Sequence, residues 1–333
     1  MARILVCNAH ARHALSAIRS FGRAGHRVTA ASAATVTPGG LSRHADRRLH
    51  HPHPVRAPAR FLDAVERELR LRDYDLLLPV NTRTVEAVVG ARDRFDPLVG
   101  LPFLSVDRLA VGLDKRLTAR AARWIGTPHP ETLLPAAVTP AAVDDLGYPV
   151  VVKPCCESGR EGVAVCSSQE AFERAYDRVR DQYGPAIVQA FIPRRDERGV
   201  YTVYDEGKLV ALSVQRRIRS TPPAGGASTY RETVRDPELV VRADRLLSAL
   251  GWHGAAMVEF RVDDRDGTPR LLEINPRLWG SLALTAAAGV DVPGTLLSLA
   301  TGQSIEPCLD YEVGVRCRRL FADAGHVARR SDR

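Results

Sequence analysis

No apolar stretch in the 333 residues approaches the ~20 needed to span a bilayer. The opening residues Met1-Ala2-Arg3-Ile4-Leu5-Val6-Cys7 hold an apolar run too short for a signal peptide, with no small-residue cleavage pattern. These two absences lead to the expectation of a cytoplasmic protein that does not meet a membrane. The six cysteines include no C-x-x-C pair and no zinc-like spacing, so reduced thiols are expected rather than a disulfide frame or a zinc site. Internal repeats and low-complexity tracts are also lacking. The net charge is +8, but the basic residues are interspersed with acids and form no stripe interleaved with aromatics. Nucleic acid is therefore not an expected partner, and an interior that handles phosphates accounts for part of the excess charge.

What is present points to two or three lobes, since the chain is too long for one ordinary core. Residues 3–7, 27–31 and 75–80 read as apolar strands, and helical patterns follow near Ala14–Phe21 and over 58–72. Strands alternating with helices predict an open parallel α/β lobe over residues 1–105. Its first strand-to-helix turn, Asn8-Ala9-His10-Ala11-Arg12, has no glycine, which argues against a dinucleotide pyrophosphate on that helix. The patch His44, His50, His51 and His53 lacks ligand spacing and is expected to be a solvated loop. Beyond residue 105 the rhythm changes to prolines, a helix over 114–125, a strand over 149–153, and hairpin-like strands with intervening helices to 275, an α+β pattern. The Arg-rich residues 313–333 are expected to be a loosely ordered tail.

The chemistry concentrates in residues 256–277. Two alternating runs flank Asp263-Asp264-Arg265-Asp266-Gly267, a turn composition, so a hairpin is expected. Folding about Asp266 sets Glu259 directly opposite Glu273, with Val258, Phe260, Val262, Leu272 and Ile274 on the apolar face. Opposed like charges about 5 Å apart are destabilising, so a cation is expected between them. Asn275 shares their face, and two carboxylates with an amide oxygen suit Mg²⁺ completed by water and phosphate. The competing reading is the solvent side of an amphipathic hairpin. A second segment, Val150 to Lys153-Pro154 and then Cys155 to Gly162, reads as a strand and a glycine-containing loop able to cradle phosphate, or as a plain hairpin tip. It is not a P-loop. The strand 186–193 and the cationic run Gln215-Arg216-Arg217-Ile218-Arg219, which leads into a glycine-rich loop, have ordinary structural readings when taken alone.

Taken together and in order, these segments resemble the ATP-grasp superfamily, closest to its carbamoyl-phosphate-synthase-like and carboxylate–amine ligase members. The matching residues are Asp114-Lys115, Gly126-Thr127-Pro128, Val152-Lys153-Pro154 with its loop, Val188 to Pro193, Glu259-Phe260 and Glu273-Ile274-Asn275-Pro276-Arg277. The resemblance covers 107–282. It implies an ATP-grasp domain over 106–312, with a small lid at about 120–190 and a metal-binding part at about 191–312, after a pre-ATP-grasp lobe. It implies ATP and Mg²⁺ or Mn²⁺ as cofactors. Lys115 and Lys153 would contact phosphates, and Ser158, Gly159 and Gly162 would lie in the loop over them. Gln189, Ala190, Phe191 and Ile192 would hold adenine, and Asp196 or Glu197 the ribose. Glu259, Glu273 and Asn275 would bind metal, with Arg277 and Arg216 or Arg217 facing an acyl phosphate. Ala190 and Arg194 depart from the residues common at their positions. The implied activity is ATP-dependent activation of a small carboxylate for attack by an amine, in a homodimer; the alternative is an ATP sensor on the same fold.

Overall fold

The computed structural model describes residues 1–157, 161–221 and 227–324. The N-terminal lobe runs β1 (Arg3–Val6), α1 (Arg12–Arg23), β2 (Arg27–Ser32), β3 (Arg47–His50), α2 (Pro58–Leu71), β4 (Leu76–Leu78) and α3 (Thr82–Gly90). Its strands pair in parallel in the order β3-β2-β1-β4. α1 buries Ala14, Ala17, Ile18 and Phe21, a helical stripe that covers this sheet. Ile4, Leu5, Val6, Leu76, Leu77 and Leu78 are fully buried, as befits parallel strands covered on both faces. β3 falls where a solvated histidine loop was expected. His51, directly after it, is buried and stacks edge-on against Phe61 at 4.8 Å, because the strand extends the sheet over α2.

Two helices follow, α4 (Val106–Leu113) and α5 (Lys115–Ile125). The Asp114 side chain caps α5 by accepting from the Arg116 amide at 2.8 Å, and Gly126 ends it at φ 77°, a left-handed conformation suited to glycine. A four-stranded antiparallel subdomain, the segment expected to be the lid, comes next, comprising β5 (Thr132–Leu133), α6 (Pro140–Leu146), β6 (Val150–Pro154), β7 (Ala164–Cys166), α7 (Gln169–Tyr183) and β8 (Ala186–Ala190), in the sheet order β5-β8-β6-β7. Its core, built on Val150, Val152, Phe172, Val179 and Val188, is separate from the main one.

The remainder builds a six-stranded antiparallel sheet in the order β13-β12-β9-β10-β11-β14. The strands are β9 (Arg194–Asp205), β10 (Lys208–Thr221), β11 (Ala227–Thr233), β12 (Gly254–Asp263), β13 (Pro269–Asn275) and β14 (Arg316–Arg318), with α8 (Pro237–Ala249), α9 (Leu282–Ala287) and α10 (Val292–Thr301) packed on them. One apolar cluster joins this sheet to the N-terminal lobe. The tail expectation is corrected at β14, which pairs with β11 and whose neighbour Asp323 is buried against Arg219 and Thr229. The Arg-rich composition hid a strand because each arginine there is solvent-facing or ion-paired.

Candidate active site

The hairpin of β12 and β13 pairs Glu259 directly with Glu273, Val258 with Ile274 and Met257 with Asn275. A β-bulge after Glu259 then shifts the register, so Phe260 faces Leu271. This corrects the expected apolar face. Leu271, 2% exposed, takes the core position, and Leu272 turns toward a cleft shared with Lys115, His129 and Gln189.

Across the sheet from this pair, alternation selects one residue from each ambiguous pair. Arg217 lies on the face of Glu259, donating to its carboxylate at 3.2 Å and pairing with Glu197 at 2.7 Å. Arg216 lies on the other face, bound to Glu232, which also holds Arg316 at 2.9 Å. Arg216 therefore does not reach the site. By the same alternation Glu197 faces the site, between Arg217 and Arg261 (2.7 Å), whereas Asp196 is turned away and bridged by Arg198 to Asp236. The sequence did not single out Arg231, which reaches Glu259 at 3.5 Å and donates to the Tyr201 hydroxyl. It also missed Thr82, which accepts from Arg277 Nε at 2.8 Å.

The two carboxylates differ in their surroundings. Burial raises Glu259, but Arg217 and Arg231 outweigh it and hold the group well below the ordinary carboxylate range. Glu273 has no ion pair among the described residues; burial and then the adjacent Glu259 push it up. Asn275 Nδ2 donates to Glu273 at 2.9 Å, and its oxygen accepts from Arg277 Nη2 at 2.9 Å. A buried carboxylate beside another, with no cation of its own, is a site that a divalent ion fits. No three His, Cys, Asp or Glu side chains converge among the described residues, so such an ion would draw its remaining ligands from phosphate and water.

Lys115 opens α5 at the bottom of the cleft, where Thr82, Cys156, Glu157, Glu273 and Asn275 also line it. Its amide bonds the Cys155 carbonyl at 2.9 Å and its ammonium donates to the Glu157 carbonyl, which ties the lid loop to α5. Arg83 of α3 holds the Glu157 carboxylate at 2.5 Å, a second tie between the lid loop and the N-terminal lobe. Lys153 is drawn down to about 8 by burial, opposed by Glu273 and reinforced by Lys115 and Arg261. Ser158 and Gly159 lie outside the described residues. Gly162 has φ 69°, and a Cβ there would come 2.5 Å from Pro154, so the loop's return needs glycine.

Gln189 is 5% exposed; its Nε2 donates to Thr132 at 2.9 Å, and its Oε1 is buried without a partner among the described residues. An orphaned buried acceptor beside Leu271, Leu272 and Lys115 fits an amino-bearing planar ligand such as adenine. The Ala190 and Phe191 amides are spent on the Glu131 and Pro149 carbonyls, at 2.9 and 3.2 Å. They are thus not donors for a base, and Ile192, 4% exposed, follows directly.

These features place the molecule in a defined class: a cleft with one lysine on α5 and one on β6, and an opposed carboxylate pair on an antiparallel sheet. The family described as ATP-grasp in the biosynthetic pathway with Ter operon matches residues 183–320. A D-alanine--D-alanine ligase of Paracidovorax citrulli (strain AAC00-1) is 32% identical over 238 residues, covering 63% of this chain and 69% of that one. Two solved structures share the fold. The biotin carboxylase domain of the Hydrogenobacter thermophilus 2-oxoglutarate carboxylase, solved as a dimer with MgADP, ADP and bicarbonate, superposes with TM-score 0.76 at 17% identity, over 95% of this chain and 73% of that one. An L-amino acid ligase from Bacillus licheniformis gives 0.71 at 20% identity, over 90% and 74%. The chain belongs to the ATP-grasp superfamily and is an ATP-dependent ligase of the carboxylate–amine type.

Proposed function

We propose that this ligase phosphorylates a small-molecule carboxylate with ATP and passes the resulting acyl phosphate to an amine, releasing ADP and phosphate. The observation that carries this reading is the Glu259–Glu273 pair with Asn275, whose imbalance of charge calls for a divalent cation at one end of a cleft lined by Lys115. In this reading Glu259, Glu273 and Asn275 hold Mg²⁺ or Mn²⁺, and Lys115 and Lys153 hold phosphate oxygens. Gln189 accepts from the base, and Glu197 is placed for the ribose edge. The ion, when bound, would neutralise charge building on the leaving nucleotide.

The chain's own contribution is positional and electrostatic. Arg277 is fixed by Thr82, Asn275 and the Leu278 carbonyl, so its charge stands oriented beside the carboxylates before any substrate arrives. Arg217 keeps Glu259 ionised for metal and is a positioning residue, because both of its carboxylate partners are already engaged. Closure of the lid over the cleft excludes the water that would hydrolyse an acyl phosphate. Among the described residues no helix is long and apolar enough to cross a membrane. We place the enzyme in the cytoplasm, where its nucleotide is available, as a homodimer acting on small molecules.

The test is ADP release from MgATP across a matrix of carboxylates and amines, with EDTA as control. Release that needs one acid, one amine and the metal supports the ligase. Tight MgATP binding with a silent matrix favours the nucleotide sensor instead.

A further inference from the structure

Beyond the metal hairpin, three guanidinium groups, Arg12, Arg231 and Arg319, lie close enough to act on one another electrostatically. Arg12 opens α1, whose first turn holds no acid and whose N-cap, Ala11, offers no side-chain acceptor. Its Nη2 lies over Gly280, close enough that a Cβ there would come within 3.3 Å, three residues past Arg277. On the facing wall, β11 and β14 pair Arg231 with Cys317, and Arg319 follows with its amide bonded to the Thr229 carbonyl at 2.8 Å. α9 packs against both α1 and β14 and so sets the two walls side by side.

The charge in this corner is unbalanced. Neither Arg12 nor Arg319 pairs with a carboxylate among the described residues, in a protein where most other arginines near the site do. Besides the Tyr201 hydroxyl, Arg231 meets one carboxylate among the described residues, Glu259 at 3.5 Å, which is already held by Arg217 and assigned above to the metal. Arg12 is held below the ordinary arginine value first by partial burial, with repulsion from Arg319 and, more weakly, Arg231 adding to it against the nearby Cys317. The three are graded in exposure: Arg231 has 12% of its side chain exposed, Arg319 is half-buried, and Arg12 is the most exposed of the three. Repulsion of this kind is relieved by an oxyanion, for which guanidinium groups offer paired donors.

We propose that Arg12, Arg231 and Arg319 form a subsite for a second acid group of the substrate, distinct from the one that is phosphorylated, so that the preferred substrate is a dianion. This rests on the ligase reading for the reacting end and is independent of it for the anion end. The second group is a carboxylate or a phosphate, which share the recognising chemistry. Selection then works by leaving the arginines unneutralised when a monoacid binds.

Calorimetric titration of the purified full chain tests this without turnover, with and without Mg²⁺ and AMP-PNP. The probes are glutarate, its monomethyl ester and inorganic phosphate; saturating AMP-PNP blocks the phosphate sites of Lys115 and Lys153. Glutarate or phosphate is expected to bind at least tenfold tighter than the ester. Arg12→Ala and Arg319→Ala should each remove at least tenfold of that affinity, Arg12→Lys less, with AMP-PNP affinity kept within twofold. Glutarate binding more tightly assigns a second carboxylate, and phosphate binding more tightly a phosphorylated substrate. Equal anion affinity in wild type and Arg12→Ala, or no preference for the dianion, overturns the proposal. Failure of the wild type to bind AMP-PNP would instead strike the nucleotide reading, and the anion arm is still scored on the nucleotide-free titration.

Discussion

At one end of the cleft, Glu259 and Glu273 stand on neighbouring strands of a sheet whose apolar core continues into the N-terminal lobe. At the other end, Gln189 and Lys153 stand on β8 and β6 of the lid, whose core is small and separate. Position at the hairpin is enforced by register and by a network of arginines. Position at the lid depends on a few side chains and on ties made by Glu157 to Lys115 and Arg83. An enzyme that must admit nucleotide and then exclude water needs this division, with chemistry on the rigid wall and closure on the yielding one.

The largest expected effect is on the rigid wall. Glu273→Ala should lower MgATP-dependent ADP release by roughly 10³-fold or more, while the melting temperature is unchanged or raised, because a buried like-charge neighbour of Glu259 has gone. Near-normal turnover would remove the metal assignment. Next, Phe172→Ala should cost the lid about 3–5 kcal/mol of local stability. Hydrogen exchange should speed up in β6, β7 and β8 and stay slow in β9, β10 and β12; loss of protection in both sheets would show that the two cores are not independent. Gln189→Leu should raise KM for ATP about five- to tenfold with little change in kcat, the value of one hydrogen bond to a bound base. An unchanged KM would move the base elsewhere. The smallest effect is a contrast between neighbours. Arg216→Ala should cost about 1 kcal/mol or less and leave ADP release within about twofold, whereas Arg217→Ala should cost about 3 kcal/mol by removing the one cation shared by Glu197 and Glu259 and leaving each with a single partner, Arg261 and Arg231. Similar melting losses in the two variants would break the two-face description.

Much of the rigid wall could be read from the residues alone. The opposition of Glu259 and Glu273 follows from a period of two on either side of a turn, and pairing across that turn leaves little freedom. The bulge was not legible, because Leu271 and Leu272 are alike and alternation cannot say which is inserted. Choosing between Arg216 and Arg217, or Asp196 and Glu197, needs the register of β9 against β10 and β12, and adjacent like residues carry no register signal. β3 and β14 were missed for a different reason. Both are short, at 4 and 3 residues, and are rich in arginine and histidine because one side of each faces solvent or an ion-pair partner. For the expectation that the backbone at Ala190 and Phe191 holds a base, neighbouring segments take the two amides, which leaves the carbonyls as the backbone groups available to it.

β14 also has a consequence for how this protein behaves in solution. Without it, β11 would present a row of unpaired amides and carbonyls at the margin of the largest sheet, an invitation to strand-by-strand stacking between molecules. The segment Arg316-Cys317-Arg318 covers that margin, and as a strand of three exposed residues it offers a second copy little length to pair with. Residues that look like a disposable basic end therefore act as a guard against aggregation, and shortening the chain at 315 is expected to yield material that associates before it loses its fold.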